Sequence, residues 1–423
     1  MNSEKVILGE NCIFSSDPHK TGINRNVSVV GGAGSGKTVS FVEPELMETL
    51  KATSPLNRIV ILTKRRIANK YIPLYKNARF TVYDLNFADP EMGNCAYDPL
   101  AYIKSEEDIS NLAKAIVMAD ERKLKSNADP FWDEASEALL GAEIGLALMT
   151  KIKPTFADVL DIHYKLKFEE NGCSIRTSLD SKFDRIEQAA PDCYAISCWK
   201  TFKEAAPKTA KSIYVSMNPT LKAFTSSVRQ GIKRKKTVDF VKMIDTKSIL
   251  FITTSPVKKS LHSLANIFVA QAITELFCIA DEQPTGVLPI PIHITFDDFA
   301  TGARVAEMPE KLSICREKGL SFSLLLQSEA QLEKMYEHCG CIEILDNCDT
   351  YIFMGGNNYD TAKNISLRLN VPLEEVLYMP VGQEIVFRRG QKPIITKRYN
   401  ILEDAFYQEI TNGKQKIMKE QRR

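Results

Sequence analysis

Short apolar, β-branched runs alternate along much of the chain with longer stretches of helical period. Val27, Val29 and Val30 predict a first buried strand, Arg58–Leu62 a second and Phe80–Leu85 a third. Ser248–Thr253, Ile292–Phe296, Ser321–Leu326 and Thr350–Met354 extend the series, and Glu384–Arg388 with Pro393–Lys397 reads as a terminal hairpin. Between the first two strands, Thr38 to Leu50 sets Val39, Val42, Leu46, Met47 and Leu50 at helical spacing. Pro44 must kink that helix or end its first segment, because it lacks the N–H that the ladder needs. Strands that alternate with helices imply a mostly parallel sheet covered on both faces.

One region departs from this rhythm. From Ser105 to about Thr225 helical patterns follow one another without a convincing strand: Ile109–Ala119, Pro130–Met149, Thr155–Leu166, Ser174–Ala189, Cys193–Ala205 and Lys208–Phe224. The economical division is a nucleotide-binding α/β domain in two parts, residues 1–104 and 226–423, interrupted by an all-α domain at 105–225. The two most apolar helical stretches, Ala138–Met149 and Leu261–Ala280, carry Glu143, and Gln271 and Glu275, respectively. Both read as buried helices, so no membrane-spanning segment is expected.

The first strand runs into Gly31-Gly32-Ala33-Gly34-Ser35-Gly36-Lys37-Thr38, which fits the phosphate-loop pattern at every fixed position. Glycines let the backbone curl so that successive N–H groups point inward, and the following helix adds its positive end. Lys37 is expected to reach the β- and γ-phosphates, and the Thr38 hydroxyl to ligate Mg²⁺. These residues predict binding of ATP with Mg²⁺. Strand Ile292–Phe296 ends in Asp297-Asp298, a Walker B pattern. Asp297 is expected to hold Mg²⁺, and Asp298 stands where many such ATPases carry a water-orienting glutamate. Its shorter side chain predicts slow turnover, since a misplacement of about 1 Å can cost roughly 10²-fold. Gln327, after the strand Ser321–Leu326, is a candidate sensor of the γ-phosphate or attacking water. Arg316 is a candidate arginine finger, with a solvated surface arginine as its plain alternative.

With 423 residues, 44% hydrophobic and 26% charged, the chain has the composition of a globular protein of one enlarged or two domains. A formal charge of +2 excludes a global basic field, so nucleic-acid contacts must come from local patches. Arg229, Lys233, Arg234, Lys235 and Lys236 form the densest patch, either a channel lining for a DNA backbone or a solvated loop. Ten cysteines without regular spacing do not make a disulfide scaffold and point to a reducing cytoplasm. His338, Cys339, Cys341 and Cys348 lack a usual zinc spacing and fit buried thiols better than a metal site.

Several segments, in order, resemble the type IV secretion coupling proteins, the TraG-like conjugative DNA-transfer ATPases. They include Asn26-Val27 before the loop, Tyr97-Asp98-Pro99-Leu100, Asp129-Pro130-Phe131-Trp132 and Ala206-Pro207-Lys208-Thr209. Phe296-Asp297-Asp298-Phe299-Ala300, Leu326-Gln327-Ser328, Asn347-Cys348-Asp349-Thr350, Gly355-Gly356-Asn357 and Arg389-Gly390-Gln391-Lys392-Pro393 continue the series. The resemblance spans Asn24 to about Tyr407. It implies a RecA-like P-loop NTPase motor domain with an inserted all-α domain, assembled as a homo-hexamer at the inner face of the membrane. It further implies single-stranded DNA, a relaxase and type IV secretion channel proteins as partners. Lys37, Thr38, Asp297 and Gln327 match the family's nucleotide residues by motif position, and Arg316 falls where its arginine finger is expected. The chain departs from the pattern in lacking transmembrane helices, in Thr63-Lys64-Arg65-Arg66 after the second strand, and in Asp298. Two other functions compete: a double-strand DNA translocase of the chromosome-partition type, and a nucleotide-gated adaptor that hydrolyses little.

Overall fold

The computed structural model describes residues 5–120, 130–169, 175–258, 260–301 and 304–411. In chain order the strands are β1 (Lys5–Ile7), β2 (Ile13–Ser15), β3 (Val27–Val30), β4 (Asn57–Leu62), β5 (Thr81–Asn86), β6 (Phe168–Glu169), β7 (Arg176–Thr177), β8 (Ser248–Thr253), β9 (Ile292–Phe296), β10 (Leu320–Leu326), β11 (Thr350–Phe353), β12 (Gln383–Arg388) and β13 (Ile394–Lys397). Nine of them form one sheet in the order β13-β12-β11-β3-β10-β9-β4-β8-β5. The pairs from β11 to β5 are parallel, and β12 and β13 add antiparallel on one edge.

Side-chain alternation explains why the central strands are apolar throughout. Ile59 and Ile61 of β4, and Leu250 and Ile252 of β8, face one core; Val60 and Leu62, and Ile249 and Phe251, face the other. A strand buried on both faces cannot show the alternating pattern of a half-exposed one. The helices Glu43–Lys51 and Arg65–Asn77 contribute Leu46, Met47, Ile67 and Tyr71 to the second core. The helix Ser260–Asp281 covers the first face. It is long and apolar enough to cross a membrane by length and composition, but most of its apolar stretch is buried inside the fold.

The chain leaves the sheet after β5 and returns as β8, which pairs with β5 from Thr81↔Ser248 to Asn86↔Thr253. Between them lie the helices Glu106–Met118, Phe131–Thr150, Phe156–Lys165, Asp180–Ala189, Tyr194–Lys203, Pro207–Leu221, Ser226–Arg234 and Phe240–Asp245. Where the sequence suggests a helix from Ser174, the two-residue strands β6 and β7 pair antiparallel instead, and the helix begins at Asp180. Thr177 explains this late start: its hydroxyl and its N–H both donate to the Asp180 carboxylate, fixing a turn ahead of the helix. No strand of the nine-stranded sheet falls within this region among the described residues. The apolar residues of these helices, such as Leu112, Leu139, Phe156 and Phe202, are continuous with the core on the first face.

Pro44 has a visible consequence. Thr38–Val42 forms a π-helical turn, and the α-helix proper starts at Glu43 with Pro44 in its first turn. The wider turn relieves the proline of a donor role it cannot fill. Glu45, one residue on, is buried between three strands. It accepts from Thr295 Oγ1 of β9 at 2.9 Å and from Ser323 Oγ of β10 at 2.8 Å, with the Arg58 guanidinium of β4 at 3.5 Å. His293 Nε2 stands 3.2 Å away. Burial raises its pKa, yet Arg58 and His293 outweigh that and hold the carboxyl down at about 2. This network ties the helix behind the phosphate loop to the sheet beneath.

The folded pKa of Glu45 lies below its unfolded value near 4.5, so its contribution is present above about pH 4.5 and lost as pH falls toward 2. The expected size is about 3 kcal/mol. Glu45→Gln should lower stability at pH 7 and flatten the acid limb of the urea-unfolding free energy over that window. An unchanged acid limb would show that the network carries no such linkage.

Candidate functional site

The loop Gly31–Thr38 leaves the carboxyl end of β3, between the ends of β10 and β11. Gly31 N–H donates to Leu326 O at 3.1 Å and Gly32 N–H to Gly355 O at 2.8 Å, so both neighbouring strands brace it. Gly34 and Gly36 have φ of +77° and +85°, values that a β-carbon would strain. A β-carbon on Gly31 would come within 2.6 Å of Ser35 Oγ and 2.9 Å of Met354 Cβ. Lys37 is buried, and its ammonium donates to Gly31 O at 2.5 Å and Gly32 O at 3.3 Å. Burial pushes its pKa down, while Asp298 and Asp297 oppose the shift. Ser35 Oγ is buried without a hydrogen-bond partner. An inward-facing hydroxyl left unpaired suits a ligand rich in acceptor oxygens.

Across the loop, Thr38 Oγ1 donates to Asp297 Oδ2 at 3.1 Å. Asp297 directly follows β9, and the intervening β10 sets the spacing at which the two oxygens meet. Burial, with the charge of Asp298 added, raises the Asp297 pKa to about 6. Two hard oxygen ligands side by side in a buried, proton-hungry pocket suit a divalent cation such as Mg²⁺, whose charge would offset both causes. Asp298 adopts a left-handed φ of +58°, and its carboxylate accepts from Thr63 Oγ1 at 3.3 Å. That conformation is costly for a residue other than glycine, though aspartate tolerates it better than most.

Gln327 follows β10 at the same end of the sheet, adjoining the loop through the Gly31–Leu326 bond, and its side chain is exposed. Arg316 is elsewhere. It caps the helix Met308–Cys315 at the amino end of β10, so the whole strand separates it from its own loop. Seven extended residues span about 20 Å. The structure therefore joins Lys37, Thr38, Asp297 and Asp298, adds Gln327 at the rim, and leaves Arg316 at the opposite end.

The basic patch is divided. Lys235 donates to the carbonyls of Glu91 at 2.9 Å and Gly93 at 2.6 Å, and to that of Pro90, clamping the loop after β5. Lys233, Arg234 and Lys236 are exposed, with Arg234 3.8 Å from Glu91. Arg229 to Arg234 lie on the helix Ser226–Arg234, not in a loop. Of the His/Cys segment, Cys341 and Cys348 are buried against the carbonyls of Glu329 and Ile344, and His338 pairs with Glu333. No metal-binding cluster of His, Cys, Asp or Glu exists among the described residues, and the nine described cysteines are free thiols. Asp129 of the Asp-Pro-Phe-Trp segment lies outside the described residues; Phe131 and Trp132 open their helix half-exposed, with rings 5.8 Å apart.

The sequence marks Thr63-Lys64-Arg65-Arg66 only as a departure from the family pattern, without assigning Thr63 and Lys64 to the site. Thr63 and Lys64 enter the site because β4 ends beside β9, Thr63 bonding Asp298 and Lys64 adding positive charge near Asp297 and Lys37. Their position after a predicted strand was the available signal. Arg65 of the same turn is structural, gripping Asp84 with both terminal nitrogens.

The model of a family described as type IV secretory system conjugative DNA transfer matches residues 2–370. The chain belongs to this family. No curated protein matches the sequence. Among solved structures, the bacterial conjugative coupling protein TrwBdeltaN70 with sulphate superposes with a TM-score of 0.69 at 14% identity, over 94% of this chain and 90% of that one. The plasmid coupling protein TrwB in complex with the ATP analogue ADPNP gives 0.68 at 16%, over 94% and 90%. VirB4 of Thermoanaerobacter pseudethanolicus gives 0.57 at 12%, over 96% and 98%. At these identities the likeness speaks for the fold alone, a RecA-like α/β fold.

Proposed function

We propose that this chain is an ATP-driven coupling motor of conjugative DNA transfer. The observation that carries the proposal is the contact between Thr38 Oγ1 and Asp297 Oδ2 at the mouth of a complete phosphate loop, in a chain of this family. In this reading the loop amides and Lys37 hold the phosphates of ATP, and Thr38 and Asp297 hold Mg²⁺. Asp298 orients the attacking water and Gln327 senses the terminal phosphate. TrwB has been solved with ADPNP and with ADP and Mg²⁺, which supports the same ligands here. The working form is a homo-hexamer at the inner face of the membrane, passing relaxase-bound single-stranded DNA to the secretion channel. Residues 1–104 and 226–423 make the motor and 105–225 the inserted all-α domain. Within the basic patch, Lys233, Arg234 and Lys236 are exposed and available to a DNA backbone. MgATP turnover measured with and without single-stranded DNA tests this reading: stimulation supports it, and absence of turnover supports a nucleotide-gated adaptor.

The strained Asp298 gives a sharper test. Asparagine tolerates the left-handed backbone and keeps a side-chain acceptor for Thr63, while losing the negative charge. Asp298→Asn should bind MgATP as the parent does and turn over about 10²-fold more slowly or worse. Equal turnover in steady-state assays would remove Asp298 from the chemistry.

A further inference from the structure

The last strand of the sheet ends near the phosphate loop, and the residue that follows it is an arginine. Arg398 directly follows β13, with its backbone N–H bonded to Gly382 O at 2.8 Å. One terminal nitrogen, Nη2, donates to Met354 O at 2.6 Å, at the carboxyl end of β11. The other, Nη1, lies 3.8 Å from where a β-carbon on Gly36 would stand, and Nη2 lies 4.0 Å from that position on Gly355. The guanidinium therefore sits against the Gly36 turn. The Arg398 Nε is buried without a hydrogen-bond partner, as is Oε2 of its neighbour Glu384. A guanidinium with one terminal nitrogen anchored on a carbonyl and an unpaired Nε is a donor fork only partly used.

The loop's two flanks differ. Asp297, Asp298 and Gln327 all come from β9 and β10, on one side of β3. Arg398 is anchored on β11, the strand on the other side. A triphosphate whose terminal phosphate and Mg²⁺ face Asp297 would turn its nucleoside-proximal phosphates toward β11.

We propose that Arg398 is a nucleotide-contacting residue acting in cis: it grips the nucleoside-proximal phosphates from the β11 flank, opposite the Mg²⁺ side. The inference rests on the nucleotide reading above and adds to it a second phosphate-gripping cation besides Lys37. It also gives the antiparallel edge hairpin β12–β13 a task, which is to carry that cation to the loop. Because Arg398 meets phosphates that ATP and ADP share, it contributes affinity without distinguishing them.

The test is calorimetric titration of wild type, Arg398→Gln, Arg398→Lys and Lys37→Ala with MgADP and with MgATPγS. Glutamine keeps a donor for Met354 O without the charge, which separates a phosphate contact from a mere brace. Arg398→Gln should weaken both nucleotides by the same factor, about 10- to 100-fold, the range of a lost charge-assisted contact. Arg398→Lys should recover part of the loss. Hydrogen exchange supplies a second readout: MgADP should protect Gln383–Tyr399 in wild type and not in Arg398→Gln. Wild-type affinity in Arg398→Gln would overturn this inference alone. A loss confined to MgATPγS would overturn it too, placing the arginine at the terminal phosphate. If wild type bound neither nucleotide, the nucleotide reading itself would fall, and this inference with it.

Discussion

Lys37→Ala should leave a folded protein that no longer turns over ATP. The ammonium is buried in the loop and bonded only to the carbonyls of Gly31 and Gly32, which other donors in a collapsed loop or water can satisfy. Burial already disfavours its charged form, so removing it costs the fold little. Its value appears when phosphate charge arrives. An ammonium held in a pocket shielded from solvent acts on a developing negative charge far more strongly than one in water, without reorganising at the moment of reaction. Loss of one such group costs about 10²–10³-fold in rate, and loss of a charge-assisted contact about 10- to 100-fold in affinity. Steady-state turnover and MgATP titration measure the two separately. A variant that turned over at the parental rate would remove the phosphate-loop assignment.

The fold was legible because strands buried on both faces advertise themselves. Val29 and Val30, Ile59 to Leu62 and Ile249 to Ile252 are short, unbroken runs rich in β-branched residues, and their alternation with helices sets the sheet class. What the pattern cannot carry is strand order. That β8 slots between β4 and β5 after more than a hundred intervening residues depends on which edges the helices leave open, a tertiary matter. The short β6–β7 hairpin was invisible for a different reason: two-residue strands have no period.

The site divides along the same line. Lys37, Thr38 and Asp297 were legible because local chemistry fixes their types at fixed offsets, and the structure brings Thr38 and Asp297 within 3.1 Å. Glu45, Thr63 and Arg398 were not, since each acts through a partner distant in sequence, from a helix or a strand end that tolerates many polar residues. Glu45 is the plainest case. A carboxylate in a helix reads as solvent-facing, and only the convergence of Arg58, His293, Thr295 and Ser323 from three strands makes its burial tolerable.

Hydrolysis should depend on assembly through Arg316, and geometry sharpens the reason. Its guanidinium is exposed and has no ion-pair partner among the described residues, so pairing with Glu317 does not occupy it. It follows the helix Met308–Cys315 and precedes the Gly319 turn, where φ of +81° releases the chain into β10. That puts it at the amino end of the sheet, a strand's length from its own loop. No side chain spans about 20 Å, so a role in the chemistry requires the loop of a neighbouring subunit. An arginine supplied in trans is worth roughly 10³–10⁵ in rate, because it meets charge that develops only in the transition state. Arg316→Ala should therefore bind MgATP with parental affinity and lose turnover on that scale. Mixing it with Lys37→Ala should restore part of the activity, since some interfaces would pair an intact loop with an intact arginine. In the parent, turnover per subunit should rise with protein concentration as interfaces form. If Arg316→Ala hydrolyses at the parental rate, or if turnover per subunit is flat across concentration, the arginine is a solvated surface residue and the loop works alone.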